Sequence, residues 1–333
     1  MYILLKKGEI MDVSIVIPTK NGGALFDEVL TMIDKQETEY EYEVICVDSG
    51  STDDTVDIIK RHHCILKQID KTEFGHGKTR NLGASLGTGE YIIFITQDAL
   101  PYDTHWIQNF IDGMKSDPEI VGGFGKHYPY PDCNIFDKRD LTLLFQGYGT
   151  TNTIYQLDDK ERYKNEEGYR HLLAFYSDNN SCMRRDIWEK YPYDDVNFAE
   201  DQIWAKKMIE LGYKKLYCPY AGVYHSHNYE LETYKQRFYD EYKGIYTIHQ
   251  YVMVKDIPHL LVGYYRFVKN NLNYVNTLDM DAAEKKKWRK YAIKRDWYRF
   301  YSAYMAGKYY RSSKSKQEKM DQKFSQQLRQ INQ

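Results

Sequence analysis

Three polar segments of the sequence each follow a short apolar run, and they contain the residues best suited to bind a ligand. These segments are Pro18-Thr-Lys-Asn-Gly-Gly23, Asp48-Ser-Gly-Ser-Thr-Asp-Asp54 and Thr96-Gln-Asp98. Their carboxylates can accept hydrogen bonds from the N–H and O–H groups of a ligand, or can ligate a divalent cation. Each segment alone is typical of a turn before a helix, which is the role we expect for Asp53. Together they predict one polar crevice.

Two acidic residues and two histidines further along the chain suit acid–base and metal chemistry. Glu200 and Asp201 begin a predicted helix, where carboxylates also complement the helix dipole. A carboxylate in this position can take the proton of an attacking hydroxyl group. His225 and His227 share a face if their segment is extended, and imidazole is a common metal ligand. We choose His225 first, and a histidine with only a local structural role is the alternative.

The elements that must position these residues alternate between strand and helix. Short apolar runs predict strands at residues 13–17, 43–47, 65–69 and 91–95. Helical patterns separate or follow them at residues 24–34, 51–61 and 78–86. Repeated units of this kind predict an α/β fold with a mostly parallel sheet flanked by helices. Ligands bind beyond the carboxyl ends of such strands, which is where the three polar segments lie.

The alternation loosens after residue 101, and the first strand lacks the usual phosphate-binding motifs. We predict helices at 103–115, 200–211 and 230–253, strands at 120–126 and 213–218, and an irregular segment up to residue 178. No G-x-G-x-x-G follows the first strand, and G-x-x-x-x-G-K-[ST] does not occur. A Rossmann dehydrogenase and a P-loop NTPase are therefore excluded.

Composition places the chain among soluble globular proteins. It has 333 residues, of which 42% are hydrophobic and 28% charged, so it can build a sizeable core in one large or two ordinary domains. No apolar run approaches the roughly 20 residues that cross a bilayer, and no secretory signal is evident. The five cysteines are scattered and odd in number. This pattern indicates reduced thiols and a cytoplasmic location.

Charge divides the chain into two parts that we expect to do different work. Residues 255–333 contain 18 Lys and Arg against 7 Asp and Glu, whereas the preceding residues carry a net charge of −13. We therefore predict a catalytic domain at 1–254 and a basic, aromatic, helical region at 255–333. Lys and Arg attract anionic lipids, and Tyr and Trp favour the membrane interface, so this region suits a membrane surface. Helix packing or a homodimer contact is the alternative. The acidic body and the lack of a nucleic-acid-binding motif argue against nucleic acid as a partner.

Five motifs, in order, resemble glycosyltransferase family 2 between residues 13 and 227. They are Val13-Ser-Ile-Val-Ile-Pro-Thr-Lys-Asn-Gly22, Val47-Asp-Ser-Gly-Ser-Thr-Asp-Asp-Thr55, Arg80-Asn-Leu-Gly83, Tyr91-Ile-Ile-Phe-Ile-Thr-Gln-Asp98 and Ala199-Glu-Asp201. Within the family, Phe74-Gly-His-Gly-Lys-Thr-Arg-Asn-Leu-Gly83 with Thr96-Gln-Asp-Ala99 resembles bacterial rhamnosyltransferases of surface-polysaccharide synthesis. The resemblance implies a GT-A fold, a nucleotide-sugar donor, a divalent metal and inversion at the anomeric carbon.

The resemblance also implies roles for individual residues. Asp201 becomes the catalytic base, and Asp98 and His225 become ligands of Mg²⁺ or Mn²⁺. Thr96 stands where the family has a second aspartate, which weakens the expected metal site. The expected substrate-binding residues are Pro18, Thr19, Lys20, Asp48, His76, Lys78, Arg80, Gln97 and Glu200. Among them, Lys78 and Arg80 are expected to pair with the diphosphate, or else to lie on a solvated helical face.

The function expected from these features is sugar transfer in cell-surface polysaccharide synthesis. The donor is dTDP-β-L-rhamnose and the acceptor a hydroxyl of a lipid-linked glycan, with the enzyme cytoplasmic or peripheral on the inner face of the membrane. One alternative is a family member that uses a UDP-hexose or a UDP-N-acetylhexosamine. Another is a non-catalytic protein that binds sugars or nucleotides on the same scaffold, and Thr96 favours that alternative.

Overall fold

The chain forms two compact units whose boundary differs from the change in charge. The computed structural model describes residues 11–196 and 198–326. Contacts group the chain into Met1–His227 and Asn228–Gln333. The predicted division after residue 254 lies later, because the helix Leu231–His249 buries aromatic side chains against helices that follow it in the chain. The basic region therefore shares its unit with this preceding helix.

The first unit is built on a β-sheet with helices packed against it. The strands described are β1 (Val13–Thr19), β2 (Tyr42–Asp48), β3 (Ile65–Gln68), β4 (Tyr91–Ile95), β5 (Leu100–Pro101), β6 (Ile120–Tyr128), β7 (Thr153–Tyr155), β8 (Asn180–Arg184) and β9 (Lys214–Tyr224). The helices of this unit are α1 (Gly23–Asp34), α2 (Thr55–Arg61), α3 (His76–Leu86), α4 (Trp106–Lys115), α5 (Ile135–Gln146), α6 (Lys160–Asn165), α7 (Glu167–Ala174), α8 (Arg185–Lys190) and α9 (Glu200–Glu210). The α/β prediction is confirmed.

The sheet is mixed, whereas the sequence predicted a mostly parallel one. Its order is β3-β2-β1-β4-β8-β6-β9-β5, with β7 also paired to β9. The first four strands are parallel, as are β6 and β9. Strand β8 lies between β4 and β6 and is antiparallel to both. It begins just after the segment predicted to be irregular, and no strand was predicted there.

Apolar side chains on both faces fix the central strands. In β1, Ile15 and Ile17 pack toward one face with residues of α1 and α4, while Val16 packs toward the other. A strand that is buried on both faces needs such a continuous apolar run. Gly83 lets α3 approach this strand closely, since a Cβ there would lie 2.3 Å from Val16 Cγ1. The Arg80-Asn-Leu-Gly83 motif thus places α3 directly on β1.

The topology gathers strand ends at one edge of the sheet. Strands β1, β2 and β4 are parallel, so the polar segments that follow them share this edge. Because β8 is antiparallel to β4, its first residue, Asn180, pairs with Ile95 at the end of β4. Strand β6 is antiparallel to β8 and parallel to β9, so the ends of β6 and β9 reach the same edge.

The second unit is helical, as predicted for the C-terminal region. Its helices are α10 (Leu231–His249), α11 (Ile257–Thr277), α12 (Ala282–Tyr309) and α13 (Lys314–Phe324). Its buried core is largely aromatic and includes Tyr234, Phe238, Tyr239 and Tyr242 of α10. Among the helices that the structure describes, none has the length and apolar character needed to cross a membrane.

Candidate active site

Hydrogen bonds join the loop after β1 to the loops after β2 and β4. The Lys20 N–H donates to Gln97 Oε1 at 2.8 Å, and Gln97 Nε2 donates to the Lys20 carbonyl at 3.0 Å. Asn21 joins the loop after β2, with its N–H donating to Ser51 Oγ at 2.8 Å and its Oδ1 accepting from the Thr52 N–H at 2.8 Å. The three polar segments therefore form one crevice. The Gln97 amide orders this crevice, since both of its ends bond the backbone of Lys20.

At the ends of β1 and β2 lie a buried hydroxyl and a buried carboxylate. Asp48 is fully buried, and its Oδ2 accepts from the N–H groups of Gly50 (3.3 Å) and Ser51 (3.2 Å). Thr19 is 3% exposed, and its hydroxyl has no hydrogen-bond partner among the residues described. An unpaired buried hydroxyl is costly, so a ligand group that bonds it would be favoured. Pro18, the preceding residue, is half-buried within β1.

Asp53 precedes α2, and His76 and Lys78 lie in the first turn of α3. Asp53 Oδ1 accepts from the Thr55 N–H (3.1 Å) and hydroxyl (2.6 Å), so Asp53 begins α2 as expected. On α3, Lys78 is exposed. His76 is half-buried, and its ring stands edge-on to Phe74 at 5.2 Å between centroids.

Asp98, His225 and His227 form a compact cluster, here called the metal-ligand cluster. Their donor atoms all lie within 4.8 Å of one another. Asp98 Oδ1 lies 3.6 Å from His225 Nε2, and Asp98 Oδ2 lies 3.7 Å from His227 Nε2. Burial raises the pKa of Asp98, but the two imidazoles and the nearby Thr96 hydroxyl outweigh burial, so the pKa lies below its ordinary value. Asp98 is therefore held as a carboxylate.

This donor set fits a divalent cation. One carboxylate and two imidazoles suit Mn²⁺ and related ions, and carboxylate oxygen also suits Mg²⁺. The structure brings both histidines to Asp98, so the choice between His225 and His227 is not needed. The second imidazole supplies a ligand atom that Thr96 does not offer. Tyr130 supports the cluster from behind, because its hydroxyl donates to the Asp98 carbonyl at 3.1 Å.

Asp201 begins α9 and is held by two backbone N–H groups. Its Oδ2 accepts from the Asp178 N–H at 3.1 Å, and its Oδ1 accepts from the Gln202 N–H at 2.7 Å. Burial raises the pKa of Asp201 well above its usual value, and the Asp178 and Glu200 carboxylates raise it further. A carboxylate with a raised pKa is a stronger base, and Asp201 as a whole residue is half-buried.

The structure places Arg80 otherwise than predicted. Arg80 is 5% exposed, and its Nη1 donates to Glu200 Oε1 at 2.7 Å while its Nε lies 3.3 Å from Asp178 Oδ2. The Arg80 guanidinium is thus paired with buried carboxylates. It is not available to pair with a diphosphate, and it does not lie on a solvated helical face. Glu200 is likewise buried against Arg80, which orients α9 and leaves little of Glu200 to bind substrate.

Sequence reasoning missed Asp178, which lies in the loop before β8. Asp178 is 2% exposed, and its Oδ1 accepts from the hydroxyls of Tyr193 and Ser181, each at 2.7 Å. Four residues, Arg80, Asp178, Glu200 and Asp201, form what we call the base cluster. The only sequence signal was the polar run Ser177-Asp-Asn-Asn-Ser181, which is typical of a turn.

Two neighbouring residues join the two clusters. The Asp178 N–H donates to Asp201, and Asn179 Nδ2 lies 3.5 Å from His225 Nδ1. Consecutive Cα atoms are about 3.8 Å apart. The metal-ligand cluster and the base cluster are therefore parts of one site at the edge where β4, β6 and β9 end and β8 begins.

Comparison with known proteins identifies the family. Residues 14–191 match the profile of Glycosyl transferase family 2. The O-antigen chain rhamnosyltransferase RfbN of Salmonella typhimurium is 35% identical over 235 residues, which are 69% of this chain and 71% of RfbN. The O-antigen chain rhamnosyltransferase WbaN of Salmonella anatum is 31% identical over 232 residues, which are 68% of this chain and 70% of WbaN.

Solved structures show the same fold at low identity. The mannosyltransferase PcManGT from Pyrobaculum calidifontis, in complex with GDP-Man and Mn²⁺, matches with a TM-score of 0.59 and 16% identity over 91% of this chain and 89% of that chain. Residues 1–349 of TarS from S. aureus, in complex with UDP-GlcNAc, match with a TM-score of 0.52 and 16% identity over 90% and 92%. The predicted GT-A fold with a helical C-terminal region is confirmed. By its sequence and fold, the chain belongs to glycosyltransferase family 2.

Proposed function

We propose that this glycosyltransferase transfers L-rhamnose, with inversion, from dTDP-β-L-rhamnose to a hydroxyl of a lipid-linked glycan in cell-surface polysaccharide synthesis. The observation that carries the proposal is the pairing of two unlike carboxylate sites through residues 178 and 179. One site suits the cation of a sugar diphosphate, and the other suits deprotonation of an acceptor. The names of RfbN and WbaN, both O-antigen chain rhamnosyltransferases, support rhamnose as the sugar.

The donor nucleotide occupies the crevice beyond β1 and β2. Thr19 and Asp48 bind the nucleotide in this proposal, and because both are buried, the loops after β1 and β2 must open to admit it. Pro18 packs against the base, while the exposed Lys20 and Lys78 are cations available to the diphosphate. His76, at the start of α3, contacts the sugar in this proposal.

Asp98, His225 and His227 would hold a divalent cation, Mg²⁺ or Mn²⁺, at the metal-ligand cluster. When bound, such a cation stabilises the negative charge that develops on the nucleoside-diphosphate leaving group. Asp98 enters this role already ionised, because the neighbouring imidazoles lower its pKa.

Asp201 acts as the general base. It takes the proton of the acceptor hydroxyl while that oxygen forms a bond to the anomeric carbon from the face opposite the diphosphate. The bond from the anomeric carbon to the phosphate oxygen breaks, and its electron pair leaves with the diphosphate. The β-linked donor thus gives an α-L-rhamnosyl product. The raised pKa of Asp201, caused chiefly by burial, increases its strength as a base.

The second unit contacts the inner face of the cell membrane, where a lipid-linked acceptor would be found. Helix α11 exposes an apolar stripe at Ile257 (58%), Leu261 (51%) and Tyr265 (64%), spaced i, i+4 and i+8. The exposed Arg266 and Lys269 continue this face. An apolar stripe beside cationic side chains is suited to an anionic lipid surface.

Vesicle binding tests the membrane contact. Leu261→Glu should reduce co-sedimentation with vesicles containing anionic phospholipid, whereas Leu211→Glu, at an equally exposed leucine of the first unit, should not. Equal binding of both variants and the wild type would contradict the membrane contact. A change in oligomeric state for Leu261→Glu alone would instead favour a homodimer contact.

Donor hydrolysis across a panel of nucleotide sugars tests the reaction. With Mn²⁺ or Mg²⁺, dTDP-β-L-rhamnose should be turned over faster than UDP-glucose, UDP-galactose or UDP-N-acetylglucosamine, and chelator should abolish turnover. Preference for a UDP-sugar would contradict rhamnose as the transferred sugar but would not contradict the proposed mechanism. The absence of donor binding throughout the panel would contradict the proposed donor and support a non-catalytic scaffold.

A further inference from the structure

The base cluster contains more negative charge than its single cation can balance. Arg80 pairs with Asp178 and Glu200, and Asp201 accepts from the Asp178 N–H, so the fully ionised cluster has a net charge of −2. The side chains of Arg80, Asp178 and Glu200 are 6%, 2% and 7% exposed. Burying charge without full compensation is expensive, and the usual relief is proton uptake by one carboxylate.

We propose that Asp178 is the positioning residue for Asp201: its N–H fixes the orientation of the Asp201 carboxylate, and its own side chain adds a second negative charge to the same cluster. This inference rests on the proposed role of Asp201 as general base. Asp178 does not touch the substrate and acts through Asp201.

Asp178 is itself firmly placed, which a positioning residue requires. The Tyr193 and Ser181 hydroxyls donate to its Oδ1, and the Arg80 guanidinium lies against its Oδ2. Burial raises the pKa of Asp178, and these three partners oppose that rise. Because Oδ1 and Oδ2 both face fixed partners, the carboxylate cannot turn away from the cluster.

The groups that face Asp201 come from several elements and act in opposite directions. Burial raises the pKa of Asp201 most, and the carboxylates of Asp178, before β8, and Glu200, on α9, raise it further. The Asp178 N–H and Arg80 on α3 lower it. The Tyr193 ring, from the loop before α9, completes the surroundings and is neutral, because burial holds the pKa of its hydroxyl well above the ordinary value. Asp178 thus both bonds Asp201 and adds negative charge beside it.

The pH profile of kcat/KM for rhamnosyl transfer tests this role. Its acid limb reports the pKa of the essential base in the free enzyme. In Asp178→Asn, loss of the neighbouring charge should move the acid limb to lower pH by at least about one unit and lower the plateau by roughly 10-fold. Asp186→Asn, which removes an exposed carboxylate shortly after β8, is the matched control and should leave the limb unchanged.

A purely structural role would lower the rate without moving the limb, and that result would overturn the proposal. Should Asp178→Asn fail to fold, Tyr193→Phe removes one hydroxyl donor to Asp178, which then protonates more readily. Its limb should move in the same direction by a smaller amount, and an unmoved limb would again contradict the proposal. The proposed function fails separately, if Asp201→Asn keeps near-normal transfer.

Discussion

The two clusters of the active site use the same residue type in opposite ways. Asp98 is partly exposed between two imidazoles, and its pKa lies below the ordinary value. Asp201 lies against two buried carboxylates, and burial with these neighbours raises its pKa. Burial and neighbouring charges together, and not the aspartate side chain itself, decide which carboxylate stays ionised for a cation and which is basic enough to accept a proton.

The largest expected effect separates proton transfer from donor binding. Asp201→Asn should lower kcat for transfer by about 10²–10⁴-fold, because the general base is lost while the amide keeps a similar shape. Binding of dTDP in the presence of Mn²⁺, measured by calorimetry, should change little. A near-normal kcat would show that Asp201 is not the general base, and the two clusters would then not differ in the way described above.

The second-largest expected effect is on nucleotide binding and comes from the metal-ligand cluster. Asp98→Ala should weaken Mn²⁺-dependent binding of dTDP by at least about 10-fold, because the carboxylate ligand is lost from a three-residue donor set. His227→Ala should act in the same direction, whereas replacement of the exposed His105 should have no effect. Equal affinity of the wild type for dTDP with and without Mn²⁺ would show that the metal-ligand cluster takes no part in nucleotide binding.

The smallest expected effect is on the free energy of unfolding, which should change with opposite sign in variants of Asp201 and of Asp98. The raised pKa of Asp201 means that the folded state binds more protons than the unfolded state between the ordinary and the raised value. Stability therefore falls as pH rises through that window. Asp201→Asn should then stabilise the protein by about 1 kcal/mol near pH 8 and by little near pH 3.

Asp98→Asn should have the opposite sign. The lowered pKa of Asp98 gives stability that is present above the unfolded-state value and is lost as pH falls through the folded-state value. Its loss should destabilise the protein by less than about 1 kcal/mol near pH 5, where the two imidazoles that lower the pKa of Asp98 are cationic, since the site is partly exposed. Thermal melting of Asp201→Asn and Asp98→Asn without metal measures the two changes in stability. Changes of the same sign would contradict the difference proposed between the two clusters.

The sequence singled out all three residues that the structure groups around Asp98, whereas it missed one member of the base cluster. Asp98 follows the apolar run of β4, and both histidines follow β9, so strand patterns place them at one edge. Arg80 and Glu200 are 120 residues apart, and no periodicity indicates their contact. Asp178 was missed because its place depends on β8 entering between β4 and β6, an antiparallel insertion that a turn-like polar run does not predict.

The fold shows the same difference between local and long-range information. The parallel strands β1 to β4 follow from apolar runs between helices, and the structure has them close to the predicted residues. The boundary between units did not follow from charge, because the aromatic side chains of α10, such as Phe238 and Tyr239, pack with later helices regardless of net charge.

Because Asp178 and Asn179 are successive residues, one peptide plane lies between the contact with the base and the contact with a metal-ligating histidine. A shift of the loop before β8 that moves Asp178 would therefore also move Asn179. Asp178 carries the contact with Asp201, and Asn179 carries the contact with His225. A single short loop thus supports both halves of the site.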